Sequence, residues 1–432
     1  MLGVVGLMTV VAIAAVASAT VMPIIARELD ALDLYVWGIT VGTIMSLLGI
    51  VLGGILCDTY GPRVGLLGGV AGLTVGSLLI AVSPNFTWFI GARLGQGLGA
   101  GILMVTAYVI IARAIPDALR PRAMAALAAA WVVPTFAGAV LAGVLADTLG
   151  WRLIYAIIPV VALGVTLIIA PRLRALSGTG VWDGAGVRIR SAAIAVVGLL
   201  LVQDGMTRAN IWGLLEASAG IALVVLASRN LLPSGALTFR RGLPSSVMMR
   251  GIVAAGYFGS AAFLPLVLIE TRGASATQAG FVMGVAGFAW WIGSSIQGRY
   301  STPQNASKLV AIGSGVVASS LALMPVLVLA QTPIWAAAVI LAVSEIGLGL
   351  ALPAVSVQVF RLSREERQGF NSSALQIVDT ILSAMVAALL TAIYASAVDR
   401  GGAGPITFAV IWIVSAIPAL LGVFLASRMR PR

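Results

Sequence analysis

The chain has 432 residues, of which 60% are hydrophobic and only 9% are charged, and its mean hydropathy is +1.07. An average globular domain has about 25% charged residues, so this chain has too little charge to cover the surface of a soluble protein of its size. The composition therefore predicts an integral membrane protein whose apolar helices are solvated by lipid.

Three residue types that carry common protein chemistry are nearly absent. The chain has no His, a single Cys (Cys57) and a single Lys (Lys308). These counts exclude the usual His/Cys metal site and an internal disulfide, so we expect no metal. A Walker A loop needs Gly immediately before its Lys, and Ser307 holds that position, so we expect no ATP-driven pump. Without a His base, paired catalytic carboxylates or a nucleophile motif, we expect no enzyme.

Fourteen apolar segments follow one another along the chain, and most are long enough to cross about 30 Å of hydrocarbon as a helix. The first contains Ala17-Ser18-Ala19, which resembles a signal-peptidase site, but no basic residue precedes the apolar run, so we predict a retained helix. The seventh and eighth are short and contain Asp204 and Glu216. The predicted fold is all-α, with helices near residues 2–26, 35–57, 64–83, 87–112, 123–146, 152–170, 191–205, 211–228, 246–269, 277–298, 308–330, 333–358, 372–397 and 405–427.

The net charge of +11 is unevenly distributed along this topology. Threading the chain through a membrane places twenty Lys and Arg residues on the side of the 58–63 loop, five on the opposite side, and Arg93 within a helix. Basic residues concentrate on the cytoplasmic side of membrane proteins. The pattern therefore predicts cytoplasmic N- and C-termini, and it makes nucleic acid an unexpected partner.

Polar connections rich in Arg, Gly and Pro, at 171–190 and 229–245, divide the helices into six, two and six. We predict a six-helix bundle at 1–171, connections with an inserted two-helix hairpin at 172–245, and a second six-helix bundle at 246–432. A weak repeat supports two related halves, because residues 97–100 (GLGA) and 347–350 (GLGL) each lie in the fourth helix of a half. A second pair of stretches matches Gly54-x3-Asp58-x2-Gly61 with Gly293-x3-Gln297-x2-Tyr300. Six-helix repeats with a site near the membrane midplane are a transporter architecture.

Two motifs resemble signatures of the major facilitator superfamily. Residues 54–63 (GILCDTYGPR) resemble G-x-x-x-D-x-x-G-[RK]-[RK], with Pro62 at the first basic position, and residues 93–100 (RLGQGLGA) are similar to R-x-x-Q-G-x-G-A throughout. Fourteen helices, and the stretches 22–29, 263–266 and 273–280, resemble the drug:proton antiporter branch. The resemblance implies a monomeric secondary transporter of the inner membrane that exports amphipathic or cationic organic compounds. A proton gradient would drive it without a cofactor, and its partners would be substrate, protons and membrane lipid.

Two departures from the branch keep alternatives open. The antiporter signature of the fifth helix is reduced to Pro134 and Gly138, and Ala14 stands where related exporters carry Asp. A lipid or metabolite exporter of the same fold, or a non-transporting receptor or assembly factor, therefore remains an alternative to multidrug efflux.

The resemblance assigns roles to the motif residues. Gly54, Asp58, Gly61 and Arg63 would form a cytoplasmic latch, in which Asp58 accepts from N–H groups at a helix N-terminus and Arg63 pairs with a carboxylate. The alternative is an ordinary loop with solvated charges. Pro134 and Gly138 would form a hinge in the fifth helix, or else a kink without a moving role.

Arg93 lies inside the fourth segment, where a charge is costly. We expect it to meet a carboxylate or the substrate in a central cavity, or else to extend toward lipid headgroups. Gln96 and Gly97 complete its motif, and the glycines of this helix are predicted to allow close helix packing.

Proton coupling without His requires buried carboxylates. Glu345, near the middle of the twelfth segment, and Asp379, in the thirteenth, are the main candidates, and Asp204 is the third. The alternative for each is a structural role. An interaction of Arg93 with Glu345 is a further hypothesis, and the predicted mechanism is rocker-type alternating access of the two bundles.

Overall fold

The computed structural model describes residues 2–114, 134–174, 176–178, 180, 184–208, 210–302, 304–330, 332–364 and 368–430. All regular secondary structure in these ranges is helical. Thirteen described helices are long and apolar enough to cross a membrane. These observations confirm the predicted all-α membrane fold.

Six described helices lie in the first part of the chain. The predicted fifth segment, 123–146, is described only from Pro134 onward, where a π-helical turn, Pro134–Gly138, leads into α5. The helices are α1 (Leu2–Glu28), α2 (Tyr35–Tyr60), α3 (Pro62–Ala81), α4 (Phe86–Ala114), α5 (Ala139–Thr148) and α6 (Trp151–Ile169).

The inserted hairpin consists of α7 (Ala185–Arg208) and α8 (Ile211–Leu231). Both helices are longer than the apolar segments predicted for them, and α7 begins before Arg188 and Arg190. Arg favours helix, and its aliphatic stem can lie along apolar surface while the guanidinium reaches water. Hydropathy therefore placed the start of this helix too late.

The remaining helices complete the fold. The predicted ninth span is interrupted near its end, where α9 is followed by the single turn α10 and by a π-helical turn, Val267–Thr271. The helices are α9 (Leu243–Ser260), α10 (Phe263–Leu266), α11 (Ala276–Tyr300), α12 (Ala306–Leu329), α13 (Ile334–Leu362), α14 (Gln368–Val398) and α15 (Pro405–Leu425).

The chain forms two compact units. Unit 1 comprises Met1–Ala193 and Ala274–Gly284, and unit 2 comprises Ile194–Gly273 and Val285–Arg432. The domain limits expected from the sequence, with a separate hairpin region, remain a prediction.

Glycines allow α4 to approach both of its neighbours in unit 1. A Cβ atom on Gly97 would lie 2.1 Å from the carbonyl oxygen of Gly42 in α2, and one on Gly99 would lie 2.2 Å from the amide nitrogen of Leu73 in α3. Gly101 approaches the Ser46 carbonyl of α2 in the same way. Alternate glycines therefore face α2 and α3, and any side chain at these positions would separate the helices.

The same two-sided packing occurs around α13 in unit 2, but in a different sequence register. A Cβ atom on Gly347 would lie 2.8 Å from the Gly313 carbonyl oxygen of α12, and one on Gly349 would lie 2.4 Å from the Trp290 carbonyl oxygen of α11. Gly347 thus corresponds by its packing to Gly99, which also faces the third helix of its half. By its packing, Gly347 therefore pairs with Gly99 and not with Gly97, which faces α2.

The start of α11 belongs to unit 1, where it packs against α5. Asp147 at the end of α5 accepts hydrogen bonds from the backbone N–H groups of Ala276 and Thr277 at 3.2 and 2.9 Å. It also accepts one from the Thr277 hydroxyl at 2.6 Å. The carboxylate therefore caps the N-terminus of α11, whose dipole favours a negative charge.

Candidate functional site

In unit 1, uncharged oxygen atoms hold the guanidinium of Arg93 inside the bundle. Arg93 is 8% exposed. Its Nε donates to the Gly38 carbonyl oxygen at 3.0 Å, and its Nη1 donates to the Ser18 hydroxyl at 3.0 Å and to Gln96 Oε1 at 2.5 Å. No carboxylate among the described residues forms an ion pair with it. A buried charge balanced only by dipoles is costly, and such charges mark functional sites in membrane proteins.

The hydrogen-bond network around Arg93 connects further helices. Gln96 Nε2 donates to the Ser77 hydroxyl of α3 at 2.9 Å, and the Tyr155 hydroxyl of α6 donates to Ser18 Oγ at 3.0 Å. Ser18 in turn donates to the Ala14 carbonyl at 2.7 Å. The R-x-x-Q spacing places Arg93 and Gln96 one turn apart on one helix face, so the two side chains belong to a single network.

The latch motif makes an ion pair between α2 and α4. Asp58 Oδ1 lies 2.8 Å from Arg113 Nη2, and Arg113 Nη1 donates to the Cys57 carbonyl at 3.3 Å. Sequence reasoning did not identify Arg113 as a partner of Asp58. No described carboxylate forms an ion pair with Arg63, and its Nε has no hydrogen-bond partner among the described atoms, so the expected pairing of Arg63 with a carboxylate is not found there.

The glycines of the latch motif differ in their surroundings. Gly61 has φ +94°, and a Cβ atom on it would lie 2.4 Å from the Leu176 carbonyl oxygen. A Cβ atom on Gly54 would make only ordinary contact with Val105 at 4.0 Å. Gly61 is therefore required by both backbone conformation and space, whereas space does not require a glycine at Gly54.

In unit 2, Glu345 is buried beside a tyrosine. Glu345 in α13 and Tyr257 in α9 are 5% and 6% exposed, and the Tyr257 hydroxyl donates to Glu345 Oε1. The second carboxyl oxygen, Oε2, has no hydrogen-bond partner in the described structure, and no described Lys or Arg pairs with this residue. Glu345 is thus an acid without a cationic partner in the part of the chain that the structure describes.

Asp379, in contrast, forms an ion pair. Arg250 Nε of α9 lies 2.7 Å from Asp379 Oδ2 of α14, and the two side chains are 16% and 15% exposed. Arg250 Nη1 also donates to the Leu352 carbonyl at 3.3 Å and to the Ser356 hydroxyl at 3.2 Å, both in α13. The pair therefore ties three helices of unit 2 together, and it balances both charges locally.

Asp204 occupies a more exposed position near the end of α7. Its side chain is 37% exposed and lies 2.5 Å from Arg208, which also approaches Glu216 of α8 at 3.6 Å. Exposed pairs of this type contribute little energy and do not create a buried proton site. The geometry therefore does not favour Asp204 as a coupling carboxylate. The neighbouring Gln203 is buried and donates to the Thr391 hydroxyl of α14 at 3.1 Å.

Pro134 and Gly138 bound a π-helical turn, an irregularity that often occurs at functional positions in helices. A cavity of about 220 Å³ opens beside this turn between α1, α5 and α6. Thr9 is the one residue with a polar side chain among its described lining residues, which otherwise include Ile13, Leu141 and Ile158. The cavity is suited to an apolar group.

The family of the chain is established by comparison with known proteins. The model of the Major Facilitator Superfamily matches residues 4–388. The chain belongs to this superfamily. It is therefore a multi-pass membrane protein of a transporter superfamily, as the motif resemblance implied.

Several curated relatives of this superfamily member carry transport names. The Multidrug resistance protein B homolog of Mycobacterium tuberculosis is 27% identical over 256 residues, which cover 56% of this chain and 47% of that protein. The Multidrug transporter protein MdtP of Bacillus subtilis is 24% identical over 375 residues, covering 84% and 69%. The Riboflavin transporter RibZ of Clostridioides difficile is 24% identical over 333 residues, covering 73% and 70%. The match thus spans about half of the first relative.

Solved structures support the superfamily fold. A POT family transporter, crystallised in complex with 5-aminolevulinic acid, superimposes with a TM-score of 0.75 over 99% of this chain and 96% of its own. At 10% sequence identity, this likeness establishes the shared fold alone.

Sequence reasoning found the buried ionisable residues of this superfamily member better than it found their partners. It identified Arg93, Glu345 and Asp379 by their positions within spans. It did not identify Tyr257, and it assigned Arg250 to the cytoplasmic side. A signal for Arg250 was present, because this residue lies within the predicted ninth segment, where an ionisable side chain indicates function or pairing.

Proposed function

We propose that this transporter exports amphipathic or cationic organic compounds in exchange for protons, by alternating access. The names of the relatives MdtP and Multidrug resistance protein B homolog support the substrate class. The apolar cavity of about 220 Å³ in unit 1 is consistent with a hydrophobic cargo. Each proton that moves down 100 mV supplies about 2.3 kcal/mol for the exchange.

The observation that carries the proton-coupling proposal is the environment of Glu345. A coupling group must take up a proton on one side of the membrane and release it on the other. Glu345 is buried, it has no described cationic partner, and one of its oxygens is free of hydrogen bonds among the described atoms. A proton on that oxygen would neutralise a charge that is costly inside a bundle.

Asp379 is the second buried carboxylate, and we propose that its role is to stabilise unit 2. Its charge is balanced by Arg250, so protonation of Asp379 would leave the Arg250 guanidinium without its counter-charge. Such a change would weaken the contact between α9 and α14. In the proposed cycle Glu345 carries the proton, and the Arg250–Asp379 pair stabilises unit 2.

Transport in energised inverted membrane vesicles tests this proposal. Respiration would drive ethidium accumulation, and a pH-sensitive dye would report proton release from the vesicles. We expect Glu345→Gln to remove uptake by at least about tenfold, because the side chain keeps its shape but loses its proton site. Asp399→Asn changes an exposed carboxylate in the turn directly after α14, and this matched control should keep wild-type uptake.

The outcomes separate the possible functions. Uncoupler-sensitive uptake that Glu345→Gln abolishes would support proton antiport. Uptake that survives this substitution would refute the assignment of Glu345. Absence of uptake of any tested solute by folded protein would favour a non-transporting receptor or assembly factor.

A metabolite exporter of the same fold is the second candidate, favoured by the relative named Riboflavin transporter RibZ. Thermal protection of the purified protein distinguishes the two. Stabilisation by riboflavin, without stabilisation by ethidium or other organic cations, would support metabolite transport. The reverse result would support multidrug efflux, and a lipid cargo would be indicated if only phospholipids stabilise the protein.

The membrane location is also a proposal. The excess of Arg on the side of the 58–63 loop supports an inner-membrane protein with cytoplasmic termini. Fusions of a fluorescent protein and of a periplasmic phosphatase to the C-terminus test this orientation. Fluorescence without phosphatase activity is the expected result.

A further inference from the structure

A basic pocket lies where the hairpin joins the second set of helices, in unit 2. The pocket has a volume of about 490 Å³ and lies between the end of α8, the connection to α9 and the start of α14. Three arginines line it, Arg229, Arg240 and Arg241. None of the described lining residues is acidic, and no carboxylate in the described structure forms an ion pair with these arginines.

The connection between α8 and α9 is folded in a way that presents two of these arginines. Gly235 has φ +85°, and a Cβ atom on it would lie 3.0 Å from the Cβ atom of Arg240, so the stem of Arg240 packs directly on this glycine. The Arg240 amide donates to the Gly235 carbonyl at 3.0 Å. Ala236 is 1% exposed and fixes the turn in the protein interior. The turn therefore holds the stem of Arg240 in place.

The pocket also has a buried polar wall and an apolar wall. Asn371 of α14 is 3% exposed, lines the pocket and donates to the Ser363 hydroxyl at 2.8 Å. Leu232 and Phe370 contribute apolar surface beside the arginines. Clustered guanidinium groups recognise phosphate, because their planar N–H donors match its oxygens and its charge. The apolar surface would accept the carbon atoms attached to such a phosphate.

The position of the pocket indicates which kind of phosphate-containing molecule could reach it. It lies between the end of one membrane-spanning helix and the start of the next, so it is at a boundary between membrane and water. Val225 and Leu226, one turn before Arg229 on α8, are 42% and 52% exposed, as expected for side chains that face lipid. Basic pockets at such boundaries are suited to anionic lipid headgroups.

We propose that the pocket formed by Arg229, Arg240 and Arg241 binds the phosphate of an acidic phospholipid headgroup. This site is separate from the proposed proton and cargo sites, and the inference does not depend on the transported compound. A bound lipid would join the hairpin to the start of α14 through one phosphate.

Native mass spectrometry of the full-length, delipidated protein in a neutral detergent tests the proposal. The probes are dioleoyl phosphatidylglycerol, dioleoyl phosphatidylcholine and inorganic phosphate. We expect wild-type protein to retain phosphatidylglycerol, and R229Q/R240Q/R241Q to bind it at least about tenfold more weakly. The control R299Q/K308Q/R361Q removes the same charge from exposed helix ends outside the pocket, and it should bind like the wild type.

A second variant separates charge from geometry. R229K/R240K/R241K keeps the charge but loses the planar donors, so its binding should fall between those of the wild type and the Gln variant. All variants must elute as the wild type does and unfold at a similar temperature without lipid. If the triple Gln variant fails to fold, the Lys variant and the three single Gln variants carry the same comparison.

Equal loss of phosphatidylglycerol in the pocket variant and its control would overturn the site, because net charge alone would then explain binding. Equal binding of phosphatidylcholine and phosphatidylglycerol would overturn the acidic headgroup. Arginine-dependent binding of inorganic phosphate without binding of phosphatidylglycerol would assign the pocket to a soluble phosphate and overturn the lipid source.

Discussion

The ion pair of Arg250 and Asp379 can be separated experimentally into charge balance and helix packing. Both side chains are about 15% exposed, and their charged atoms lie 2.7 Å apart. Breaking a buried pair by removing one partner typically costs about 3–5 kcal/mol, because the other charge stays buried without compensation. Asp379→Asn keeps the shape of the side chain and leaves Arg250 its hydrogen bonds to Leu352 and Ser356, so we expect about 3 kcal/mol.

The double variant is the decisive comparison. Arg250→Gln alone leaves the Asp379 carboxylate buried without its cation, whereas R250Q/D379N leaves two neutral amides. The double variant should therefore be more stable than either single variant, with an interaction energy of about 0.5–3 kcal/mol. Glu345→Gln provides a contrast, because it removes an acid that has no described counter-charge, and it should lower stability little.

Thermal unfolding of the purified proteins, followed by the fluorescence of the ten tryptophans, measures these differences. A loss of about 3 kcal/mol corresponds to a decrease in apparent Tm on the order of 5 °C, compared at one scan rate. Strictly additive losses in the double variant, or a Tm of Asp379→Asn equal to that of the wild type, would refute the ion pair as a structural element of unit 2.

Two further predictions concern unit 1. Gly97→Ala should greatly reduce the yield of folded protein, because its Cβ atom would lie 2.1 Å from the Gly42 carbonyl oxygen. Gly138→Ala should be tolerated, since the nearest neighbour of its Cβ atom would be 3.6 Å away. Size-exclusion profiles of the two proteins test this difference. Arg113→Gln should slow transport while leaving the fold intact, because it removes the ion-pair partner of Asp58 in the latch motif. Dye uptake at equal expression measures the effect. An unchanged uptake rate would show that the pair has no role in the transport cycle.

The helices could be predicted from the sequence because each apolar segment carries its own signal. Glu345 and Asp379 could be identified for the same reason, since a carboxylate inside an apolar segment stands out wherever its partner lies. The partners could not be identified in this way. Tyr257 is 88 positions from Glu345 and Arg250 is 129 positions from Asp379, and no local pattern indicates which helix faces which.

Arg250 shows that assigning basic residues to the cytoplasmic side can overlook a buried ion pair. Counting basic residues by membrane side assigns Arg250 to the surface, because it lies near the start of its span. Its guanidinium instead turns toward α13 and α14 and meets Asp379. A long Arg side chain can reach several ångströms from its Cα atom, so its position along a helix does not fix the location of its charge.

The contrast between Glu345 and Asp379 also indicates which group can exchange a proton without breaking an ion pair. Loss of the proton from Asp379 creates a charge that Arg250 stabilises, so removing or adding that proton changes a contact between helices. At Glu345 the Tyr257 hydroxyl can donate to Oε1 whether or not Oε2 carries a proton. This single donor therefore serves both forms of the acid without rearrangement. Loss of the proton leaves a charge with no described cationic partner inside the bundle, so the deprotonated form favours a state in which Glu345 reaches water or a cationic cargo. Such a difference between two states is what proton coupling in an antiporter requires.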